Sequence, residues 1–197
     1  MQTRRSLLIA GTTLALAPAA ARADATLDEA APAFVGTDSN GKRWSLADLK
    51  GKVVVIEVTN HDCPYVRKHY TSNNMQAQQR EAATKGVVWL SLVASAPDRE
   101  GYVEAAEANE LTRSRKAEPA AVLLDPQGVI GRAYGATTTP HMFVIDASGT
   151  LVYKGAIDSV RSSNPDDVSR AKQYVRQALD EVLAGKKVSE PSTRPYG

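Results

Sequence analysis

Short apolar runs separate longer polar segments along the chain, and these runs predict the strands of a sheet. Three of them carry at most one polar side chain each: VVVIEV at residues 53–58, GVVWLSLVA at 86–94 and AAVLLD at 120–125. Short continuous runs of this kind are typical of strands that are buried on both faces. Two later runs, PHMFVID and TLVYKGAI, are joined by Ala147-Ser148-Gly149 and predict an antiparallel hairpin.

Helical signals fill the intervals between these runs. Pro64 stands at a favoured first helical position, Ser72-Asn73-Asn74 interrupts that segment, and a second helix is predicted from Met75 to Thr84. A short helix is predicted for VIGRAYG, after the turn at residues 126–128. The polar segment at 99–117 has apolar residues at helical spacing, namely Val103, Ala106 and Leu111.

The clearest helix is predicted at residues 164–186. Asn164 supplies a cap, Pro165 the first helical residue and Gly185 the end. One apolar stripe runs along the segment: Val168, Ala171, Val175, Ala178 and Val182. Residues 188–197 follow as a C-terminal tail.

The order of these elements defines the fold class. Asn40-Gly41 predicts an N-terminal β-hairpin, and Ser45 can cap a short turn over residues 46–49. Strands then alternate with helices before the late hairpin and the final helix. Because alternation implies parallel crossovers, we expect an α/β fold with a mixed central sheet flanked by helices on both faces. This is the arrangement of the thioredoxin fold.

The first 23 residues have the features of an export signal. Residues 3–8, TRRSLL, form a twin-arginine pattern before an apolar run, and Ala21-Arg22-Ala23 fits a cleavage site. We therefore predict a signal peptide at 1–23 and a single domain at 24–187. The mature protein would be periplasmic or otherwise exported and would not be held in a membrane.

Processing would also change the charge balance. The full chain has 24 basic and 22 acidic residues, and residues 1–23 contain three arginines and no acid, so 21 basic residues would remain against 22 acids. Without a basic excess, the chain lacks the electrostatic footprint of a protein that binds nucleic acid or anionic lipid.

Cys63, within TNHDCPYVRKHY, is the only cysteine of the chain. In an oxidising compartment a lone cysteine is either buried and inert or reacts with a group outside the chain. At the start of the predicted helix, free N–H groups and the helix dipole would stabilise a thiolate. Protonated His61, Arg67 and Lys68 would add positive charge, and Asp62 would oppose it. We therefore expect a partly exposed, reactive thiol.

Glu57 is the one acid within the apolar run that precedes Cys63. A carboxylate in a central strand is costly unless it is paired or protonated, and burial raises its pKa. Such an acid can deliver or accept a proton near neutral pH. The alternatives are a solvent-facing edge position or an ion pair with a lysine such as Lys154.

Four segments together resemble the thioredoxin-like redoxin family, which includes peroxiredoxins of the alkyl hydroperoxide reductase and thiol-specific antioxidant type and exported thiol–disulfide oxidoreductases. They are DSNGKRWSLADLKGKVVVIEV, TNHDCPYVRKHY, AVLLDPQG and YGATTTPHMFVIDASGTLVYKGAID. The segments occur in the family's order and span most of residues 33–158. The resemblance implies a thioredoxin fold, a redox-active cysteine and no bound cofactor.

The resemblance also implies roles for particular residues. Cys63 matches the first cysteine of the family's C-x-x-C motif, and Glu57 matches the buried acid behind the active site. Thr139 and Pro140 match the cis-proline loop, which lies beside the thiol and whose first residue pairs with the substrate backbone. The remaining residues that we expect to contact the substrate are Thr59, His61, Pro64, Arg67 and His141.

Two positions depart from the family's patterns. Val66 stands where the second cysteine would be, which excludes an intramolecular dithiol cycle. Asn60 stands where the peroxiredoxin signature has threonine or serine, three residues before the cysteine. We therefore expect Cys63 to carry out thiol–disulfide exchange or peroxide reduction, with an external thiol to resolve the product. Its partners would be an external thiol reductant, a disulfide-bearing protein or a peroxide.

A non-catalytic module that binds a metal or a protein partner is the alternative. Cys63, His61 and His141 could together offer a sulfur and two nitrogens to copper or zinc. Their spacing matches no recognised ligand motif, so no residue is predicted as a metal ligand.

Overall fold

A computed structural model describes residues 25–197. The predicted signal peptide at residues 1–23 lies outside the described residues, as does its cleavage site. Within residues 25–197, no helix is both long enough and apolar enough to cross a lipid bilayer.

The described residues form one seven-stranded mixed sheet. Its strands are β1 (Val35–Asp38), β2 (Arg43–Ser45), β3 (Val54–Thr59), β4 (Val88–Val93), β5 (Ala121–Leu124), β6 (His141–Ile145) and β7 (Leu151–Gly155). Across the sheet they lie in the order β2-β1-β5-β4-β3-β6-β7. The β3–β4 and β4–β5 pairs are parallel, whereas the β1–β2, β1–β5, β3–β6 and β6–β7 pairs are antiparallel. The predicted mixed α/β sheet of the thioredoxin fold is therefore confirmed.

Helices cover both faces of the sheet. They are α1 (Pro64–Thr71), α2 (Asn74–Thr84), α3 (Ala105–Ser114), α4 (Val129–Ala133) and α5 (Tyr174–Leu183), with 3-10 turns at Ala47–Leu49 and Pro165–Arg170. One core cluster, which includes Ile56, Ile130 and Phe143, fills the α4 side. The other, which includes Val55, Met75 and Val175, fills the side of α2 and α5. Neighbouring residues of β3 alternate between the two clusters because side chains along a strand point to opposite faces.

The predicted helix at 164–186 is wrong in its first half. The segment begins with a 3-10 turn at Pro165–Arg170, turns extended at Ala171, and becomes α5 only at Tyr174. The backbone of Lys172 and Gln173 instead pairs with the segment after β7: Ser159 N donates to Lys172 O at 3.0 Å, and Asp158 bridges Gln173. Long-range pairing therefore overrode a local helical pattern.

The apolar register predicted for the third helix also needs a correction. Ala106 is exposed, whereas Val103, which precedes α3, and Ala108 within it are buried. The helix begins later than the pattern implied, so a different set of side chains faces β5.

Candidate active site

Cys63 is the residue that precedes α1, and its thiol lies close to the loop before β6. Its backbone is extended (φ −62°, ψ 123°), and Pro64 then begins the helix. The Sγ–H group donates to the carbonyl oxygen of Thr139 at 3.0 Å. Only 7 % of Cys63 is exposed. The expectation of a partly exposed thiol is therefore wrong, because the loop before β6 covers one side of the sulfur.

The loop that carries Cys63 is held in place by Asn60. The Asn60 side-chain oxygen accepts from Asp62 N at 2.8 Å, and the backbone carbonyl oxygen of Asn60 accepts from Cys63 N at 3.2 Å. Its amide group also donates to Glu100 O at 3.4 Å. Gly101 permits this approach, because a Cβ at that position would overlap the Asn60 side chain. The side-chain amide that replaces the hydroxyl of the peroxiredoxin signature is therefore used to shape the loop.

The sheet explains why the segments 60–63 and 137–140 meet. β3 ends at Thr59 and the antiparallel β6 begins at His141, with Val58 opposite His141. The chain that leaves β3 and the chain that enters β6 therefore lie at the same end of the sheet. The peptide bond between Thr139 and Pro140 is cis.

Glu57 is fully buried in β3, which has strands on both sides. Its carboxylate accepts four hydrogen bonds: from Tyr70 Oη at 2.9 Å, Trp89 Nε1 at 2.9 Å, Ser91 Oγ at 2.9 Å and Gln79 Nε2 at 3.3 Å. The alternatives of an exposed edge position and of an ion pair with Lys154 do not match this arrangement, since Lys154 Nζ donates to Ala25 O.

Burial raises the pKa of Glu57, and the hydrogen bonds from Trp89, Tyr70 and Ser91 oppose that rise. The free energy that the charged carboxylate loses with its hydration is larger than the free energy that these hydrogen bonds restore. Among the described residues, the hydrogen bonds of Glu57 reach α1, α2 and β4, and none of them reaches Cys63 itself.

A small cavity is bordered both by residues that bind Glu57 and by residues near the Cys63 loop. Its volume is about 40 Å³, and its lining includes Tyr70, Ser91, Thr59 and His61. Arg115 also borders it, with its guanidinium 5.1 Å from the centre of the Tyr70 ring and 3.0 Å from the carbonyl oxygen of His61. The sequence pattern gave no signal for Arg115, because its contacts lie 45 and 54 residues away along the chain.

The other predicted site residues are spread around the thiol at different depths. Pro64 and Arg67 are exposed on the first turns of α1, and Thr59 is half-buried at the end of β3. The imidazole of His61 lies 3.4 Å from the Asp62 carboxylate. His141 is buried, with its ring 4.4 Å from that of Phe143, and burial lowers its pKa to about 4.

The three residues of the alternative metal site do not form a ligand cluster. Within residues 25–197, no group of three or more histidine, cysteine, aspartate or glutamate side chains has an arrangement that could hold a metal ion. His141 Nδ1 instead accepts from Thr137 N at 3.4 Å.

A second polar cluster lies beneath α1, and sequence reasoning missed it. Lys68, predicted as a positive neighbour of the thiol, is 1 % exposed, and its ammonium group binds Asp158 at 3.0 Å and Val160 O at 2.7 Å. Its charge is therefore paired with that of Asp158. Tyr196 of the tail donates to the same Asp158 carboxylate, and its hydroxyl also lies 3.4 Å from His69 Nε2.

Comparison with known proteins agrees with this fold. The family model described as Redoxin matches residues 26–175. The chain therefore belongs to the Redoxin family. No curated protein sequence matches the chain significantly.

Solved structures with the same fold come from several bacteria. An uncharacterized conserved protein of Geobacillus kaustophilus is 22% identical, with 87% of this chain and 88% of that chain covered and a TM-score of 0.73. A Chlorobium tepidum protein described as a thiol:disulfide interchange protein is 25% identical, with 66% and 85% covered and a TM-score of 0.53. An exposed lipoprotein thioredoxin of Streptococcus pneumoniae is 23% identical, with 71% and 96% covered and a TM-score of 0.52.

Proposed function

We propose that this protein is an exported thiol–disulfide oxidoreductase in which Cys63 is the nucleophile. The observation that carries the proposal is the contact between Cys63 Sγ and the Thr139 carbonyl oxygen, 3.0 Å apart, at the N-terminus of α1. This contact sets the sulfur beside a backbone carbonyl that an extended polypeptide can also bind. A sulfur at a helix N-terminus is well placed to react as a thiolate.

The exchange takes two balanced steps. Deprotonated Cys63 attacks one sulfur of a partner disulfide, which forms a mixed disulfide and releases the other partner sulfur as a thiolate. An external thiolate then attacks the mixed disulfide at the partner's sulfur, so that a new disulfide leaves and the Cys63 thiolate is restored. An external thiol is needed because Val66, at the position of a second motif cysteine, is fully buried and has no thiol.

We assign substrate contacts to the groups that surround the sulfur. The Thr139 carbonyl would receive a backbone N–H of the partner, and Pro140 would shape that loop. The approach to the thiol would be bordered by Thr59 at the end of β3, His61 in the following loop, and Pro64 and Arg67 on α1. His141 would hold the loop before β6 in position through the hydrogen bond that it accepts from Thr137 N.

Glu57 would supply a proton to the thiolate that leaves in the first step. Burial keeps its carboxyl protonated at higher pH than an exposed one, and Tyr70, which binds it at 2.9 Å, also faces the cavity beside His61. This cavity supports a proton route from Glu57 through Tyr70 towards the Cys63 loop.

Exchange is favoured over peroxide reduction by the position of Asn60. The side chain that replaces the peroxiredoxin hydroxyl binds Asp62 N and Glu100 O. Export is supported by the sequence at residues 1–23, and we expect the mature chain to begin at Asp24. N-terminal sequencing of protein recovered from outside the cytoplasm tests that start.

The function is tested by incubation with glutathione disulfide and by the Cys63→Ser variant. We expect wild-type protein to form a mixed disulfide with glutathione that reduced glutathione removes, and the variant to form none. The stability of the variant should change by less than about 1 kcal/mol, since a hydroxyl can still donate to the Thr139 carbonyl. If dimedone traps a sulfenic acid after treatment with peroxide and no mixed disulfide forms, the function is peroxide reduction and not thiol–disulfide exchange. Activity that survives in Cys63→Ser would refute both.

A further inference from the structure

We propose that residues 194–197 act as an intramolecular pseudosubstrate, which occupies the surface beside Cys63 that a partner polypeptide must take. The inference rests on the proposed function in one respect, namely that Cys63 is the reacting residue. It adds a regulatory contact and a substrate class: an extended polypeptide segment that replaces this part of the tail.

The preceding part of the tail is fixed to the edge of the sheet. Lys154 N donates to Pro191 O at 3.0 Å, and Thr193 N donates to Lys154 O at 3.2 Å. The Thr193 hydroxyl accepts from Ala156 N at 2.9 Å. Residues 191–193 therefore extend the sheet beyond β7 and direct the last four residues towards α1.

Tyr196 anchors those four residues against α1. It is 4 % exposed, and its ring meets that of Tyr65 edge to face with 5.6 Å between the centroids. Its hydroxyl donates to Asp158 and lies 3.2 Å from Lys68 Nζ. Tyr65 lies on the first turn of the helix that Cys63 precedes, so the anchor sits on one side of the reactive sulfur.

Gly197 lies against the loop before β6. A Cβ at this position would overlap both the Thr139 carbonyl oxygen and the Thr138 hydroxyl. The tail therefore contacts the same carbonyl oxygen that accepts the hydrogen bond from Cys63. A partner that uses this carbonyl competes directly with Gly197.

We call residues 194–197 the strap. Its release from the surface leaves the neighbouring interactions of the fold in place. Without Tyr196, the ammonium group of Lys68 still binds Asp158 and Val160 O. Residues 191–193 keep their own bonds to β7, so the opening is confined to the strap. A buried charge is thus not left unpaired when a partner displaces Tyr196.

The test measures access to Cys63 rather than turnover. In the full chain, Tyr196→Ala should raise the rate of Cys63 alkylation by iodoacetamide about tenfold. This corresponds to a loss of about 1.4 kcal/mol in the free energy that favours the bound strap over the released one. Tyr196→Phe keeps the ring contact with Tyr65 and loses the hydroxyl bonds, so its rate should lie between those of wild type and Tyr196→Ala. Lys187→Ala is the matched control, because Lys187 pairs with Asp28 on the surface. Circular dichroism of each variant verifies the fold.

A blocked peptide with the sequence of residues 194–197 provides a second readout. Added to Tyr196→Ala, it should slow alkylation, and the same peptide with alanine in place of tyrosine should not. Equal alkylation rates in wild type and a folded Tyr196→Ala would overturn the strap, even if mixed disulfides still form. A faster rate in Tyr196→Ala without any mixed disulfide would leave the strap intact and refute the proposed function instead.

Discussion

Glu57 is an acid whose burial costs hydration free energy and whose carboxylate is compensated by hydrogen bonds within the sheet and its helices. Its carboxylate is removed from water inside the sheet, and Tyr70, Trp89, Ser91 and Gln79 donate to it. Four donors would suit an ionised group, whereas burial favours the neutral one. The tyrosyl hydroxyl can rotate and accept a hydrogen bond from protonated Glu57, so both protonation states can be hydrogen bonded. An acid that is stable in both states can exchange a proton during a reaction.

The Glu57→Gln variant tests this role. A raised pKa means that wild-type Glu57 retains its proton above the usual carboxyl range and loses it as the pH rises further. Release of thiopyridone when Cys63 attacks dithiodipyridine should therefore slow in the wild type as Glu57 ionises, because this leaving group takes up a proton as it departs. The variant should be slow throughout and lack that inflection when followed by absorbance between about pH 5 and pH 9.

Asp38→Asn provides the control for Glu57→Gln. Asp38 is a buried carboxylate of β1 that accepts from Trp44 Nε1 at 2.9 Å, away from the Cys63 loop. The Asp38→Asn variant should keep the wild-type pH profile of the release rate. A Glu57→Gln variant with an unchanged profile would remove the acid from the mechanism.

At the scale of the element, α1 combines the end that carries the proposed nucleophile with a buried side. Cys63 and Pro64 form the N-terminus, where the first turn of a helix leaves N–H groups without intrahelical partners. Val66 and Lys68, further along the helix, are both buried. The helix therefore carries the proposed nucleophile at its start, while its later turns pack against the sheet and the tail.

The Val66→Cys variant should convert this end into a dithiol. Cys63 immediately precedes α1 and residue 66 lies on its first turn, so the two side chains are neighbours. Under glutathione disulfide we expect an intramolecular disulfide, so that both thiols disappear from a titration and glutathione is not retained. Val66→Ala is the control and should keep the mixed disulfide. Retention of glutathione on Val66→Cys would show that the two sulfurs do not meet.

At the scale of the whole molecule, folding buries two of the three histidines. His69 and His141 are 0% and 6% exposed, and burial lowers the pKa of each to about 4. Asp158 opposes this shift at His69, whereas Lys68 at His69 and Lys154 at His141 add to it. In the unfolded chain these groups take up protons near the ordinary value of about 6.5. Stability should therefore be lost as the pH falls from that value towards 4.

His141→Gln isolates one of these contributions. Glutamine keeps a group that can accept from Thr137 N but does not titrate. Urea unfolding at pH 7 and pH 5 should show that the wild type loses about 2 kcal/mol more than the variant between the two values. The comparison cancels the opposite effect of Glu57, whose raised pKa makes stability fall as the pH rises. Equal losses in both proteins would contradict the assigned burial of His141.

The sequence by itself determined the strands, most of the helices and the central residue of the candidate site. Apolar runs located every strand from β3 to β7, and the Asn40-Gly41 pair located the hairpin of β1 and β2. Pro64 and Asn73 marked the start of α1 and the break before α2. Local patterns carry this information because periodicity and turn chemistry depend on neighbouring residues. The lone cysteine before a proline was visible for the same reason.

Only the tertiary structure decided which distant groups meet. The Thr139 carbonyl lies 76 residues from Cys63, and Tyr196 lies 128 residues from Lys68. The extended break at residues 171–173, the burial of Lys68 and the position of the tail all follow from such pairings. A charged or polar residue looks the same in the sequence whether it faces water or a buried partner. Its role is therefore fixed by the free energy of burial and pairing, which depends on what the fold brings beside it.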